Sequence, residues 1–483
     1  MRRAKHNLSS YHLTTGNMGE LFPINLVECL PGDVIQNSSQ ALIRVSPLAA
    51  PVMHPVKVRL HHFFVPTRLC SGFHPSGFHW ETFITGGADG KDAQTVPQIP
   101  NTDVKGDLLD HFGLPRVAGV NVNALPVSAF NLIYNEYYRD VQLGAERPPT
   151  DTTIPKISWA KDYFTTARPD SSLGDDVVIP LGESADIHSA ANAADGTALS
   201  AFSDLAGEYR TMATDAANLS LSATTGAEGN KLYADLSNAT GASINDVRKA
   251  FALQRYQEAR NKYGSRYTEY LRSMGVVPSD ARLQRPELLG GGTTSLNFSE
   301  VLQTGQETGA TENAVGNMYG HGIAALRSNR FRRFIEEHGY FITLMSVRPK
   351  SIYTNGIPKM WLRQDKEDYF QKELQHIGMQ EILNQEIYAV NDVSGNETFG
   401  YNDRYQEYRT QWSTVSNEFR DTLNYWHLGR EFSAAPALNE SFIQCVPSKR
   451  IHNDQNMDSL WIMTQHKTVA RRPVEKVATN KVL

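Results

Sequence analysis

Hydrophobic and polar positions along the chain follow two periods, separated by long polar connections. Val56–Val65 alternates residue by residue. Val56, Val58 and Leu60 share one face and Lys57, Arg59 and His61 the other, which predicts a half-buried strand. Glu337–Arg348 has an apolar centre at Phe341, Leu344 and Met345 and stops at Pro349, as a buried strand would. Ile352–Leu362, Leu383–Val390, Phe442–Val446 and Ser459–Val469 are further strand candidates. A helical period governs Leu125–Leu143, where Phe130, Ile133, Tyr134, Tyr137, Tyr138 and Val141 recur at three- and four-residue spacing. Pro126 suits its first turn, and Gly144 with Pro148–Pro149 ends it. Ser243–Met274 is a second helical stretch, with Ser243 and Asp246 spaced as a capping box and a break at Gly264. Arg327–Glu337 is a third. Gly290–Gly292 reads as a turn and Thr304–Gly320 as a Gly-rich loop.

The first segment obeys neither period. Prolines at 23, 31, 47, 51, 55 and 66 exclude a long helix. The apolar pieces between them are too short for a core of their own. The segment therefore reads as an extended arm laid across its own barrel or a neighbouring subunit. These patterns divide the chain into an arm over 1–55, strands with a helical insertion over 56–180, a surface insertion over 181–242, and the remaining strands with long loops and a basic tail over 243–483.

The insertion differs in composition. Between Glu183 and Asp246 there are nine acidic and two basic residues, a local charge of 2 − 9 = −7. Small, polar and acidic sequence builds little core and belongs in water. Either a disordered linker or an ordered surface excursion fits. Phe202, Leu205, Tyr209 and Met212 have helix-like spacing and are the candidates for contacts among copies.

Composition narrows the function classes. The 53.9 kDa chain has 10% aromatic residues, enough for a large core. Its formal charge of −5 excludes a wholesale nucleic-acid coat. Cys29, Cys70 and Cys445 are too sparse for a CxxC site, and they suit a reducing compartment. The basic start lacks a following apolar run, so no secretory signal is expected. The apolar stretch Tyr340–Val347 is too short to cross a bilayer, so no membrane partner is expected. Among the histidines, His54, His61, His62, His74 and His79 are clustered in sequence. Adjacent strand residues point to opposite faces, so His61 and His62 read as loop or interface residues rather than a metal pair. Gly290–Thr294 lacks the lysine of a phosphate loop, and no GxSxG, HExxH or GxGxxG motif occurs. No catalytic residue, cofactor or metal is predicted.

Charge at the two ends is more informative. Arg2, Arg3 and Lys5 open the chain, and Lys467, Arg471 and Arg472 lie near its close. Basic ends on a near-neutral protein can meet phosphates locally, although solvated tails also fit. The Tyr- and Arg-rich run Phe399–Arg409 suits packing or an interface better than base stacking.

Several segments carry a resemblance, in a shared order. The run Asn17–Arg68, NLIYNEYYRD (Asn131–Asp140), DARLQRPELLGGG (Asp280–Gly292), EHGYFITLMSVRP (Glu337–Pro349), FGYNDRYQEYR (Phe399–Arg409), WHLGREF (Trp426–Phe432) and LNESFIQ (Leu438–Gln444) resemble gokushovirus-like microvirus major capsid proteins. The resemblance covers most of the chain and is weakest over 181–242. It implies a mainly β fold, an eight-stranded antiparallel viral jelly roll with large helix- and loop-bearing insertions. It also implies a structural role: sixty copies in a T=1 shell around circular single-stranded DNA, assembled in the host bacterial cytoplasm. By the same resemblance, 181–242 would form threefold protrusions that meet a bacterial host receptor. Small DNA-binding and scaffolding proteins of the virus stay open as further partners. Composition alone also allows a β-rich carbohydrate-active hydrolase or a monomeric binding module.

Overall fold

The computed structural model describes residues 3–88, 91, 94–174, 177, 186–189, 200–203, 207–215, 218–225, 232–235, 244–264, 266–302, 304, 318–391 and 393–476. Its main sheet has ten antiparallel strands: β1 (Ala4–Asn7), β2 (Ser10–Gly16), β3 (Leu21–Cys29), β4 (Val34–Val45), β5 (Val56–Pro66), β6 (Glu287–Leu302), β7 (Met318–Arg327), β8 (Phe331–Phe334), β9 (Gly339–Pro349) and β10 (Leu460–Arg472). Eight follow the order β1-β10-β4-β7-β6-β5-β9-β3. Off this path, β2 also pairs with β10 and β8 with β4. The chain thus builds the mainly β, jelly-roll type of fold with insertions.

Strand β6 joins two halves of the sheet, since residues 297–302 pair with β7 and residues 287–296 with β5. The sheet curls, so both halves bury side chains in one core. Phe22, Val58, Leu60 and Met345 come from one half, and Ala41, Ile43, Leu326 and Ile462 from the other. The outer face of β3-β9-β5 is covered by α1 (Leu125–Tyr137). Its Leu125, Phe130 and Ile133 share a core with Phe63, Ile342 and Leu344. Strand β9 is therefore buried on both faces, which explains its continuous apolar run. Among the described residues, no helix covers the outer face of β1-β10-β4-β7 in this way. Its strands alternate between buried and exposed positions.

Several sequence expectations are corrected. Residues 1–55 are not an arm, because β1 to β4 are paired strands of the barrel. Pro23 sits beside a register shift on the edge strand β3, where a missing N–H costs least. Gly290–Gly292 lies inside β6 rather than in a turn. A Cβ at Gly291 would sit 2.0 Å from the Leu60 carbonyl oxygen, so the two backbones approach too closely for a side chain. The segment expected as a third helix contains β8. Ile352–Leu362 holds a 3₁₀ turn at Lys359–Trp361. In place of strands, Leu383–Val390 contains the short helix Asn384–Ile387, and Phe442–Val446 begins within the short helix Glu440–Ile443. Most of the expected loop Thr304–Gly320 lies outside the described residues. His61 and His62 lie on β5 and are not loop residues, whereas His54 lies in the connection between β4 and β5; all three are largely buried.

Residues 172–259 form a second compact unit. Within it, Ser200–Ser203, Glu208–Asp215 and Asn218–Thr225 make a three-stranded antiparallel sheet, and Asp186–Ser189 pairs with Leu232–Asp235. The helix-like spacing expected at Phe202, Tyr209 and Met212 is corrected: these residues are on strands. Tyr209 is opposite Phe202, with rings 5.2 Å apart and edge to face. Leu205 lies outside the described residues. Helix α2 (Ile244–Tyr263) follows, then α3 (Tyr267–Ser273), with the expected break at Gly264, where φ is +105°.

Candidate nucleic-acid interface

Strand pairing brings the two basic ends together. β1 lies antiparallel to the end of β10, and Lys5 is directly opposite Arg471. Both are exposed, as is Lys467 on the same face of β10. Opposed like charges in a strand pair are unfavourable without a counter-ion. Arg3 is exposed, with its guanidinium 5.1 Å over the Phe334 ring. Arg2 lies outside the described residues. Arg472 is excluded from this cluster by its register. Its Nε donates to Asp33 Oδ2 at 3.0 Å, its Nη2 donates to the Glu28 carbonyl, and Asp33 is fully buried. Arg472 is therefore a structural ion pair, a correction to its expected place facing DNA.

The face around this cluster has a feature that sequence reading missed. The strands β1, β2, β4, β7, β8 and β10 contain no Asp or Glu. Arg44, Arg327 and Arg332 join Lys5, Lys467 and Arg471 as its exposed cations. Register places all of them on the uncovered side, since Arg44 is opposite Trp461, Arg327 opposite Gln40 and Arg332 opposite Gln36. Apolar and aromatic groups lie between them. Tyr11 is 58% exposed, Leu13 63% and Trp461 40%. Leu13, Leu42, Trp461 and Met463 line a cleft of about 640 Å³ with Arg44 and Lys105, and two carboxylates from outside these strands, Asp110 and Asp458, also border it. A cationic surface carrying stacking groups suits single-stranded nucleic acid, because every base has a π-face. The legible signal was the absence of acids across strands that alternate in and out.

A family model described as capsid protein (F protein) matches residues 1–475. The chain belongs to the phage F capsid protein family. Among its relatives, capsid protein VP1 of Bdellovibrio phage phiMH2K is 35% identical, over 92% of this chain and 88% of that protein. VP1 of Chlamydia phage 1 is 31% identical, over 92% and 89%. VP1 of Spiroplasma virus 4 is 29% identical, over 99% and 95%. The resemblance to microvirus major capsid proteins is thereby borne out. This capsid protein is a structural component of the virion and not an enzyme.

Other features of the capsid protein have structural explanations. The Arg- and Tyr-rich run packs internally: Arg363 bonds Glu407 at 3.1 Å and lies 4.3 Å over the Tyr408 ring. Glu386 is fully buried, accepts from Tyr163 Oη at 2.9 Å and meets Lys359 at 3.5 Å. Burial pushes its carboxyl above the usual range. Cys29, Cys70 and Cys445 are buried free thiols. Among the described residues, no three His, Cys, Asp or Glu side chains cluster as metal ligands, and no helix is long and apolar enough to cross a membrane.

Proposed function

We propose that the capsid protein closes a T=1 shell of sixty copies around a circular single-stranded DNA genome, with the acid-free sheet face turned inward. The observation that carries this reading is the pairing of Lys5 with Arg471 on a face whose six strands lack any carboxylate. Exposed apolar groups support self-association. Trp361 is 72% exposed, and Met360, Tyr369 and Phe370 nearby are also exposed, a pattern typical of protein contacts. Closed symmetry would bury such groups and the sheet edges. Assembly would take place in the cytoplasm of the host bacterium, where small DNA-binding or scaffolding proteins of the virus could act as further partners.

Reversing charge at Lys5, Lys467 and Arg471, with Arg472 left in place, is expected to yield intact particles with less DNA. Each lost phosphate contact weakens binding by up to about tenfold, and more steeply at low salt. The ratio of absorbance at 260 and 280 nm in purified particles measures this. Unchanged DNA content would refute the inward assignment.

The acidic insertion over 181–242 is assigned to the outside, as the threefold protrusion that meets the host receptor. Its charge of 2 − 8 = −6 over these residues opposes packing against phosphate. Shortening it is expected to leave particles intact, seen by electron microscopy, and to lower adsorption to host cells. Equal adsorption by shortened particles would remove this role.

A further inference from the structure

The strongest unexplained feature lies on the half of the sheet that carries α1, away from the acid-free face. Beyond the end of α1 is a cavity of about 510 Å³, walled by six Lys or Arg residues and two carboxylates. Asp140 accounts for Lys161 at 2.8 Å and Arg168 at 3.5 Å, and Glu269 accounts for Arg266 at 3.5 Å. Among the described residues, Arg59, Arg139 and Arg348 have no carboxylate in ion-pair range. Register makes the gap worse. Arg59 is opposite Ser346, so Arg348 lies diagonally across the strand pair on the same face. Burial and the Arg59 charge hold the Arg348 guanidinium below the usual arginine range.

Like charges so placed are destabilising, and a partly dry cavity strengthens the repulsion. Two buried donors in the same wall, Arg139 Nε and Trp159 Nε1, lack acceptors, and each such group carries a desolvation cost. Three guanidiniums without a carboxylate partner, of which Arg139 donates to the Gly144 carbonyl at 3.3 Å and Arg348 to the Ser158 carbonyl at 3.0 Å, and two orphaned N–H groups match an oxyanion, and arginine forks suit phosphate in particular. Gln142 Oε1 is an orphaned acceptor in that wall. It fits a phosphate that still carries a proton, as free phosphate and monoesters do near neutral pH and phosphodiesters do not.

We propose that this cavity is an oxyanion site that takes a phosphate group, supplied by inorganic phosphate or a phosphate monoester. This goes beyond the proposed shell interior and uses none of its residues. The test is thermal unfolding of purified capsid protein at pH 7 and constant ionic strength, in inorganic phosphate, thymidine monophosphate, an oligothymidylate without terminal phosphate, or chloride. Phosphate and the monoester are expected to raise the midpoint by about 2–4 °C over chloride. Arg348→Gln and Arg59→Gln are expected to abolish that rise while being at least as stable as the parent in chloride, because the repulsion is gone. A phosphate shift unchanged in Arg348→Gln would overturn the site. Absence of any phosphate shift, with both variants less stable in chloride, would overturn it too. A shift with oligothymidylate alone would overturn the monoester assignment. None of these outcomes depends on DNA content after charge reversal at Lys5, Lys467 and Arg471, so the two readings fail separately.

Discussion

Acidification from pH 7 to pH 4 is expected to unfold the isolated capsid protein cooperatively. Burial pushes the imidazoles of His54, His61, His452 and His466 down to about 4, and that of His62 to about 3. All five are engaged as neutral rings. His466 lies between Ser39 Oγ at 2.7 Å and Thr464 Oγ1 at 3.1 Å. His452 meets Ser46 Oγ at 2.7 Å, His61 meets Tyr138 Oη at 2.6 Å, His62 meets Thr343 Oγ1 at 3.0 Å, and His54 donates to the Lys350 carbonyl at 2.8 Å. An unfolded histidine titrates near 6.5. Between that value and about 4, the unfolded chain binds more protons than the folded one. Stability is therefore complete above pH 6.5 and falls as pH drops toward 4. The loss is on the order of 3 kcal/mol per histidine. Five such losses rival the roughly 5–15 kcal/mol of a typical fold. Circular dichroism and tryptophan fluorescence from pH 8 to 3.5 measure the transition, expected between about pH 6 and 4. His466→Gln should move the midpoint to lower pH if it folds, as should His452→Gln. Native signal persisting to pH 3.5 would rule this account out.

What was legible in the sequence depended on clean periods. The alternation in β5, the apolar run of β9, and the helices α1 and α2 all followed from local spacing. Strand β4 hid because its core positions are partly polar. Asn37 and Ser39 are fully buried, and their partners come from β10: Thr468 Oγ1 donates to Asn37 Oδ1 at 2.8 Å, and Ser39 Oγ meets His466. A residue satisfied from hundreds of positions away leaves no local hydrophobic signal. The prolines misled for a related reason. Pro23 occupies an edge strand, while Pro47, Pro51 and Pro55 lie in the connection between β4 and β5. The basic ends were visible, but their meeting on one face depends on the pairing of β1 with β10. The loss of Arg472 to Asp33 depends on the same register.

Removing residues 1–45 is expected to abolish folding, and not merely assembly. An accessory arm could be deleted with its subunit intact, but β4 lies inside the sheet. It pairs along β10 on one side and along β7 and β8 on the other. Deleting it would leave those strands with unpaired N–H and C=O groups, each costly when buried and adhesive when exposed. Deletion would also take β3 from the edge of β9, and Phe22, Ile24, Ala41 and Ile43 from the shared core. Insoluble protein without a cooperative unfolding transition is the expected product. A milder variant keeps the test quantitative. Ile43 is fully buried, so Ile43→Ala should cost about 2–5 kcal/mol in chemical denaturation. Removal of residues 1–7 alone should leave a folded subunit, because β1 is a four-residue edge strand, while subtracting Arg3 and Lys5 from the basic face. If the chain lacking 1–45 purified as a soluble subunit with native circular dichroism, β4 would be dispensable and the arm reading would return.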